Sequence, residues 1–355
     1  MIFNKDLKSF EYISKEVGLP IEYTQGGGGN TSVKLNDELM AVKASGYKLK
    51  QITPEEGYVV VNYINILDYY NQVDLSQEKD YEKESSEMVK ANIVEFEGLK
   101  KLRPSVEAGF HSLLQKYVIH THPVYANLVC CSQNGRELMD EIFSEESYGV
   151  VWIPYINPGF SLTLRIKDTL EKYGKETVLD KKVQIILMEN HGLIATADDP
   201  EECVALHERA NELIKEYFGI EEPYPQMQLS KLEENKFISR TGYLIDYFKS
   251  HKIDNDFFDQ IVLYPDQLVY LNSSLSVDAM DNKLNINSQT GEIIYLTTES
   301  EAQTMEESML AYVYIIDQME RFGLSPKSMN QTEINFIANW EGEKYRKSLV
   351  KNLEK

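Results

Sequence analysis

Tyr117-Val118-Ile119-His120-Thr121-His122-Pro123 is the stretch on which the reading of the fold turns. Its apolar lead-in reads as a buried strand, and residues two apart on a strand point to the same side. His120 and His122 therefore project together, which a helix would forbid. Two imidazoles at a strand end offer two nitrogen ligands to Zn²⁺ or a similar ion. A single His-x-His also arises by chance, so the neighbouring segments decide its weight.

Immediately upstream lies Arg103-Pro104-Ser105-Val106-Glu107-Ala108-Gly109-Phe110-His111. Pro104 cannot continue a preceding helix, Ser105 is a natural N-cap, and an apolar helical face follows. Glu107 then falls in the first turn, where the helix dipole alone favours an acid. His111 shares its face four residues on, either as a polar partner or as ordinary core. Downstream, the apolar run from Val183 to Met188 reads as another buried strand, ending in Glu189-Asn190-His191-Gly192-Leu193. His191 thus sits at a strand terminus beside a glycine, placed to join the first two histidines.

The N-terminal segments extend the pattern. A helix is expected over 5–17, stopped by Gly18 and Pro20. Gln25-Gly26-Gly27-Gly28-Gly29-Asn30-Thr31-Ser32 follows, then short strands at 32–35 and 39–43, the second ending in Ala44-Ser45-Gly46. Four successive glycines read first as a flexible turn between strands, and alternatively as a nest of backbone N–H groups for an anion. Further strands are expected at 57–62 and 150–154, with helices from Val124, at 163–173 and at 200–218. Alternating strands and helices define an α/β class with chemistry on the strand-end loops.

The character changes at Glu221-Glu222-Pro223-Tyr224-Pro225, which divides the chain into 1–222 and 223–355. In the second part the pattern suggests a helix over 236–250, a strand over 260–271, a hairpin over 283–296, and helices over 301–321 and 331–353. His251 is its one histidine, and no ligand or nucleophile cluster is visible, so a structural, lid or interface role is expected.

Composition narrows the partners. A formal net charge of −21 opposes nucleic acid and anionic membranes. No apolar run reaches the ~18 residues of a membrane span, and MIFNKDLKSF lacks a secretory apolar core. Cys130, Cys131 and Cys203 form no disulfide framework, which fits a reducing cytoplasm.

These segments, GGGGNTS, ASG, RPSVE, HTHP and NHGL, occur in the order and approximate spacing of the class II aldolase/adducin family, which residues 1–220 resemble. The stretch Asn339-Trp340-Glu341-Gly342-Glu343-Lys344-Tyr345-Arg346 is similar to the longer branch, in which a rhamnulose-1-phosphate-aldolase-like domain is joined to a short-chain dehydrogenase. The 355 residues hold no GxGxxG fingerprint, so that dehydrogenase part is expected to be absent. The resemblance implies a three-layer α/β/α sandwich followed by a smaller α+β domain. It implies His120, His122 and His191 as ligands of Zn²⁺, Co²⁺ or Mn²⁺, and Glu107 as the catalytic carboxylate. It also implies a phosphate held by Gly29, Asn30, Ser45, Gly46 and Ser105. Fuculose-phosphate aldolases carry a second serine where this chain has Val106. The missing hydrogen bond is worth about 1.5–3 kcal/mol when its partner is charged.

The activity so implied is cleavage of a ketose 1-phosphate, rhamnulose- or fuculose-like, to dihydroxyacetone phosphate and an aldehyde through a metal-stabilised enediolate. Sugar-phosphate dehydratases and decarboxylases would use the same site. Pentulose-phosphate 4-epimerases of the family carry an aspartate at the acid/base position, so Glu107 argues against that branch. A non-catalytic adducin-like interaction module would be expected to have lost its metal ligands, and all three are present. The family further implies a homo-oligomer, typically a tetramer, with a neighbour supplying a proton-donating tyrosine. With 23 tyrosines the sequence does not single that residue out, and Tyr155 is one position to test.

Overall fold

A computed structural model describes residues 3–96, 98–176 and 182–339. The first part is built on seven strands: β1 (Asn30–Lys34), β2 (Leu39–Lys43), β3 (Tyr58–Asn62), β4 (Tyr117–Thr121), β5 (Gly149–Ile153), β6 (Val183–Met188) and β7 (Gly192–Ala197). They form one sheet in the order β3-β2-β1-β4-β7-β6-β5. The β5–β6 pair is parallel and the other pairings are antiparallel. The helices of this part are α1 (Asn4–Gly18), α2 (Tyr63–Gln72), α3 (Tyr81–Ala91), α4 (Ala108–Leu113), α5 (Val124–Cys130), α6 (Gly135–Ile142), α7 (Phe160–Glu176) and α8 (Pro200–Phe218).

Strand alternation sorts the side chains into two cores, giving the three-layer α/β/α sandwich. On one face Tyr117, Ile119, Ile185, Leu187 and Leu193 pack with Phe10 and Ile13 of α1, Leu128 of α5 and Ile214 of α8. On the other, Val118, Ile186 and Ile194 pack with Phe110 of α4 and Ile166 of α7, while Met40, Val42 and Val61 meet Ile66 of α2 and Val89 of α3. Each fully buried Leu, Ile or Phe contributes roughly 1.5–3 kcal/mol by leaving water. The two faces together therefore hold the central strands rigidly.

Strand β4 sits in the middle, with Asn30 of β1 opposite His120 and Leu193 of β7 opposite Thr121. The glycine loop, the His-x-His end and the loop before β7 thus reach the same end of the sheet. Strand β7 itself has no counterpart in the sequence expectations. It follows β6 so tightly that its hairpin turn, Glu189-Asn190-His191, reads as ligand chemistry rather than turn chemistry. Asn190 takes φ +49, a left-handed value that asparagine tolerates better than most residues.

Beyond residue 222 lie β8 (Leu229–Glu233), β9 (Lys236–Ser239), α9 (Gly242–Ser250), α10 (Phe257–Gln260), α11 (Pro265–Gln267), β10 (Leu275–Val277), β11 (Leu284–Ile286), β12 (Ile293–Tyr295), α12 (Glu299–Phe322) and α13 (Gln331–Asn339). A second sheet runs β10-β11-β12-β9-β8. The expected hairpin is present as β11–β12. Two expectations are corrected. The helix over 236–250 begins only at Gly242, because the alternating Lys236–Ser239 pairs as β9 with β12. The strand over 260–271 is instead the short helix α11 and a wide helical turn, Leu268–Asn272. A short apolar run does not separate a buried strand from a buried helix, and Pro265 occupies the first helical position that its missing N–H suits. The C-terminal helix expected over 331–353 is present to Asn339; its remainder, with Trp340 to Arg346, lies outside the described residues.

The core does not break at the proposed division. Phe258, Leu263, Met305 and Ile315 belong to the same apolar cluster as Ile119, Leu128 and Val129.

Candidate metal centre and acid-base site

The side chains of His120, His122 and His191 converge at the end of β4, all buried, with their candidate ligand atoms within 4.8 Å of one another. The protons on two of these rings follow from their partners. His120 Nδ1 lies 3.0 Å from the Leu193 carbonyl, and His122 Nδ1 lies 2.6 Å from Asp266 Oδ2. A carbonyl or a carboxylate only accepts, so each Nδ1 carries the hydrogen and each Nε2 is left with a lone pair. These two Nε2 atoms stand 3.2 Å apart. Burial pushes the His120 imidazole down to about 4, which keeps it neutral and able to ligate at ordinary pH.

Glu107 completes the cluster. One carboxylate oxygen lies 3.5 Å from His120 Nε2 and the other 3.5 Å from His191 Nε2. Oε1 is buried without a hydrogen-bond donor. Ser105 does not cap α4 as expected: Glu107 itself is the N-cap residue, its carboxylate turned away from the helix end and into the site. Ser105 Oγ accepts instead from the Glu107 backbone N–H at 3.3 Å.

The orientation of Glu107 is set by a chain of buried polar groups. His111, the ambiguous residue of the sequence, is fully buried and held neutral by that burial, pushed down to about 3. Its Nδ1 lies 2.7 Å from Ser32 Oγ, and its Nε2 donates to Asn30 Oδ1. That fixes which way the Asn30 amide faces. Asn30 Nδ2 then donates to Glu107 Oε2 at 2.7 Å and to Ser105 Oγ at 3.3 Å. His111 therefore acts on the site through Asn30.

The remaining expected residues surround this cluster. Gly29 adopts φ +66, and a Cβ there would meet the His120 carbonyl at 2.6 Å, so only glycine fits. Gly46 adopts φ +90. The Ser45 N–H donates to the Arg103 carbonyl at 2.8 Å and the Ser105 N–H to the Lys43 carbonyl at 3.2 Å, which draws the ASG and RPS turns together. Ser105 Oγ accepts two hydrogen bonds, leaving its own proton to donate. Val106 faces a surface cleft shared with Arg103, Lys90, Phe336 and Asn339. Tyr155 donates its backbone N–H to Glu189 at 3.0 Å, and its hydroxyl is buried in its own chain.

Asp266 is the residue that the sequence reading missed. Its signal was a lone acid beside proline inside the apolar run Ile261-Val-Leu-Tyr-Pro-Asp-Gln-Leu-Val-Tyr-Leu. Such an acid, when buried, needs a partner.

The donor set suits a divalent transition ion. The Nε2 lone pairs of His120 and His122 face one another with no hydrogen between them, Glu107 lies beside them, and imidazole with carboxylate is a common ligand combination for such ions. Residues 21–218 match the model of the class II aldolase and adducin N-terminal domain, and the chain belongs to that family. It is 26% identical over 245 residues to the uncharacterized oxidoreductase YuxG of Bacillus subtilis (strain 168), a match covering 65% of this chain and 33% of that relative. The chain thus aligns with about a third of that protein's length. Among solved structures it is similar to the N-terminal class II aldolase domain of a conserved Thermoplasma acidophilum protein (24% identity, 60% of this chain, 93% of that one, TM-score 0.49). It is also similar to L-fuculose-1-phosphate aldolase from Thermus thermophilus (16% identity, 61% and 96%, TM-score 0.37).

Proposed function

We propose that the protein is a metal-dependent aldolase that cleaves a ketose 1-phosphate to dihydroxyacetone phosphate and an aldehyde. The observation that carries this reading is the convergence of His120, His122 and His191 in one buried cluster with Glu107, whose Oε1 has no hydrogen-bond donor. Bound there, Zn²⁺, Co²⁺ or Mn²⁺ supplies Lewis-acid stabilisation of negative charge developing on the substrate's oxygens.

The chain's own residues supply the rest. Glu107 moves the proton, and its free Oε1 is the atom that takes or returns it. Asn30 and His111 hold that carboxylate in one orientation, so no reorganisation is needed during the reaction. Ser105 Oγ, with Ser45 and the Gly29 and Gly46 turns, holds the phosphate. The Asn30 amide is divided between this anion and Glu107. A homo-oligomer, a tetramer as in the family, and a cytoplasmic setting complete the proposal. No helix among the described residues is long and apolar enough to cross a membrane.

Val106 favours one second reading. With no hydroxyl beside Glu107, phosphate binding weakens, and a dehydratase or decarboxylase using the same proton-moving carboxylate becomes the competitor. The test is elemental analysis followed by incubation of the metal-loaded protein with L-rhamnulose 1-phosphate and L-fuculose 1-phosphate. Metal near one per chain with dihydroxyacetone phosphate released is the expected result. Metal without release transfers the site to the second reading. No metal after reconstitution overturns both and leaves a non-catalytic, adducin-like module.

A further inference from the structure

We infer that Asp266, supplied by the C-terminal part, is a positioning residue of the metal centre: it locks His122 so that Nε2 faces the ion. This rests on the metal reading above and assigns residues beyond the three histidines and Glu107 to the centre.

The geometry is specific. Asp266 is 1% exposed, and its Oδ2 accepts from His122 Nδ1 at 2.6 Å across 144 residues of sequence. A carboxylate on the far nitrogen of a ligating histidine fixes its tautomer and ring orientation and raises its basicity. The backbone carrying Asp266 is pinned on both sides. Gln267 accepts from the Leu263 N–H at 2.8 Å and donates to the carbonyls of Phe258 and Ile261 at 2.7 and 3.0 Å. Asn190, next to His191, donates to the Leu263 carbonyl at 2.7 Å. The glycine loop is shaped around the same contact. A Cβ on Gly28 would meet Asp266 Oδ2 at 2.6 Å and His122 Nδ1 at 3.1 Å. Gly28 therefore clears space for the carboxylate–imidazole pair, a use of the glycine run distinct from anion binding.

A purely structural His–Asp pair would tie the two parts together without affecting metal, and the experiment separates these roles. Co²⁺ is titrated into the full-length metal-free protein, wild type and variants, with the visible d–d absorbance giving both affinity and ligand field. Asp266→Ala should weaken Co²⁺ binding about 10–100-fold and alter the d–d bands. Asp266→Asn, which keeps an acceptor for Nδ1–H but loses the charge, should recover part of that loss. Glu307→Gln is the control. Glu307 accepts from the Gly26 N–H at 2.7 Å and pairs with Lys48 at 3.4 Å, so it joins the same two parts without touching a histidine ligand. Its affinity should stay within about threefold of wild type.

Unchanged affinity and spectrum in Asp266→Ala would overturn the inference while leaving the metal reading intact. So would a loss in Glu307→Gln equal to that in Asp266→Ala, since general loosening would then explain both. Failure of the wild-type protein to take up Co²⁺ would overturn the metal reading itself, and this inference with it.

Discussion

In the seven-stranded sheet the buried acceptors at the strand ends face one another without donors: Glu107 Oε1 has none, and the His120 and His122 Nε2 atoms stand 3.2 Å apart. The region of the five-stranded sheet buries a carboxylate too, and that one is met by donors. Glu306 of α12, fully buried, takes hydrogen bonds from Ser239 Oγ at 2.6 Å, from Thr241 Oγ1 and from the Tyr295 hydroxyl. Burial pushes its carboxyl up while the three hydroxyls pull it back down. Both regions hold an inaccessible glutamate, and what separates them is the supply of donors. The first arrangement suits the proposed cation; the second is a joint held by hydroxyl donors.

Four experiments would break or sharpen that contrast. The largest effect belongs to the first sheet. His122→Ala should lose bound metal and activity together, whereas Glu107→Gln should keep metal and lose about 10²–10⁴-fold in turnover. Full metal content and activity in His122→Ala would remove the site. In the second sheet Glu306→Ala should leave metal content unchanged and cost about 2–4 kcal/mol in denaturant unfolding, because three hydroxyls lose their shared buried acceptor. A change in metal stoichiometry there would erase the distinction between the regions. Asn190→Ala bridges them. It gives up hydrogen bonds to the Leu263 and Lys327 carbonyls and places a Cβ-bearing residue of poorer left-handed tolerance at φ +49. About 2–4 kcal/mol should be lost, with a single cooperative transition if the continuous core is real.

The smallest effect is a pH dependence. Burial pushes His111 and His207 down to about 3, while in the unfolded chain each titrates near its ordinary value of about 6.5. Below pH 6.5 the unfolded state therefore binds more protons, and the stability of the metal-free protein falls as pH drops towards 3. Between pH 7 and pH 6 the loss is about 0.7 kcal/mol per imidazole. His207→Gln should flatten the curve by one histidine's share; an unchanged slope would mean that His207 takes up its proton equally in the folded and unfolded states.

What the sequence made legible was local. The His-x-His pair follows from the two-residue period of a strand, and His191 from its place after an apolar run. The role of His111 could not be read, since Asn30 and Ser32 lie about 80 residues away and reach it only through β1–β4 pairing. Strand β7 was hidden because its turn, Glu189-Asn190-His191, carries a histidine of the site. Asp266 was invisible for a third reason: nothing near it marks its partner, and the apolar run around it suits helix and strand alike.

The Asn190 clamp has a consequence for how the protein is made. Its side chain closes on the Lys327 carbonyl, 137 residues later in the chain. At about 5–20 residues per second, a ribosome needs roughly 7–27 s to travel that distance. For that interval a nascent chain carries all three histidines while the hairpin holding His191 still lacks its far support. On the proposed metal reading, a pause placed between codons 191 and 327 lengthens the period in which the three histidines are exposed to ions without that support.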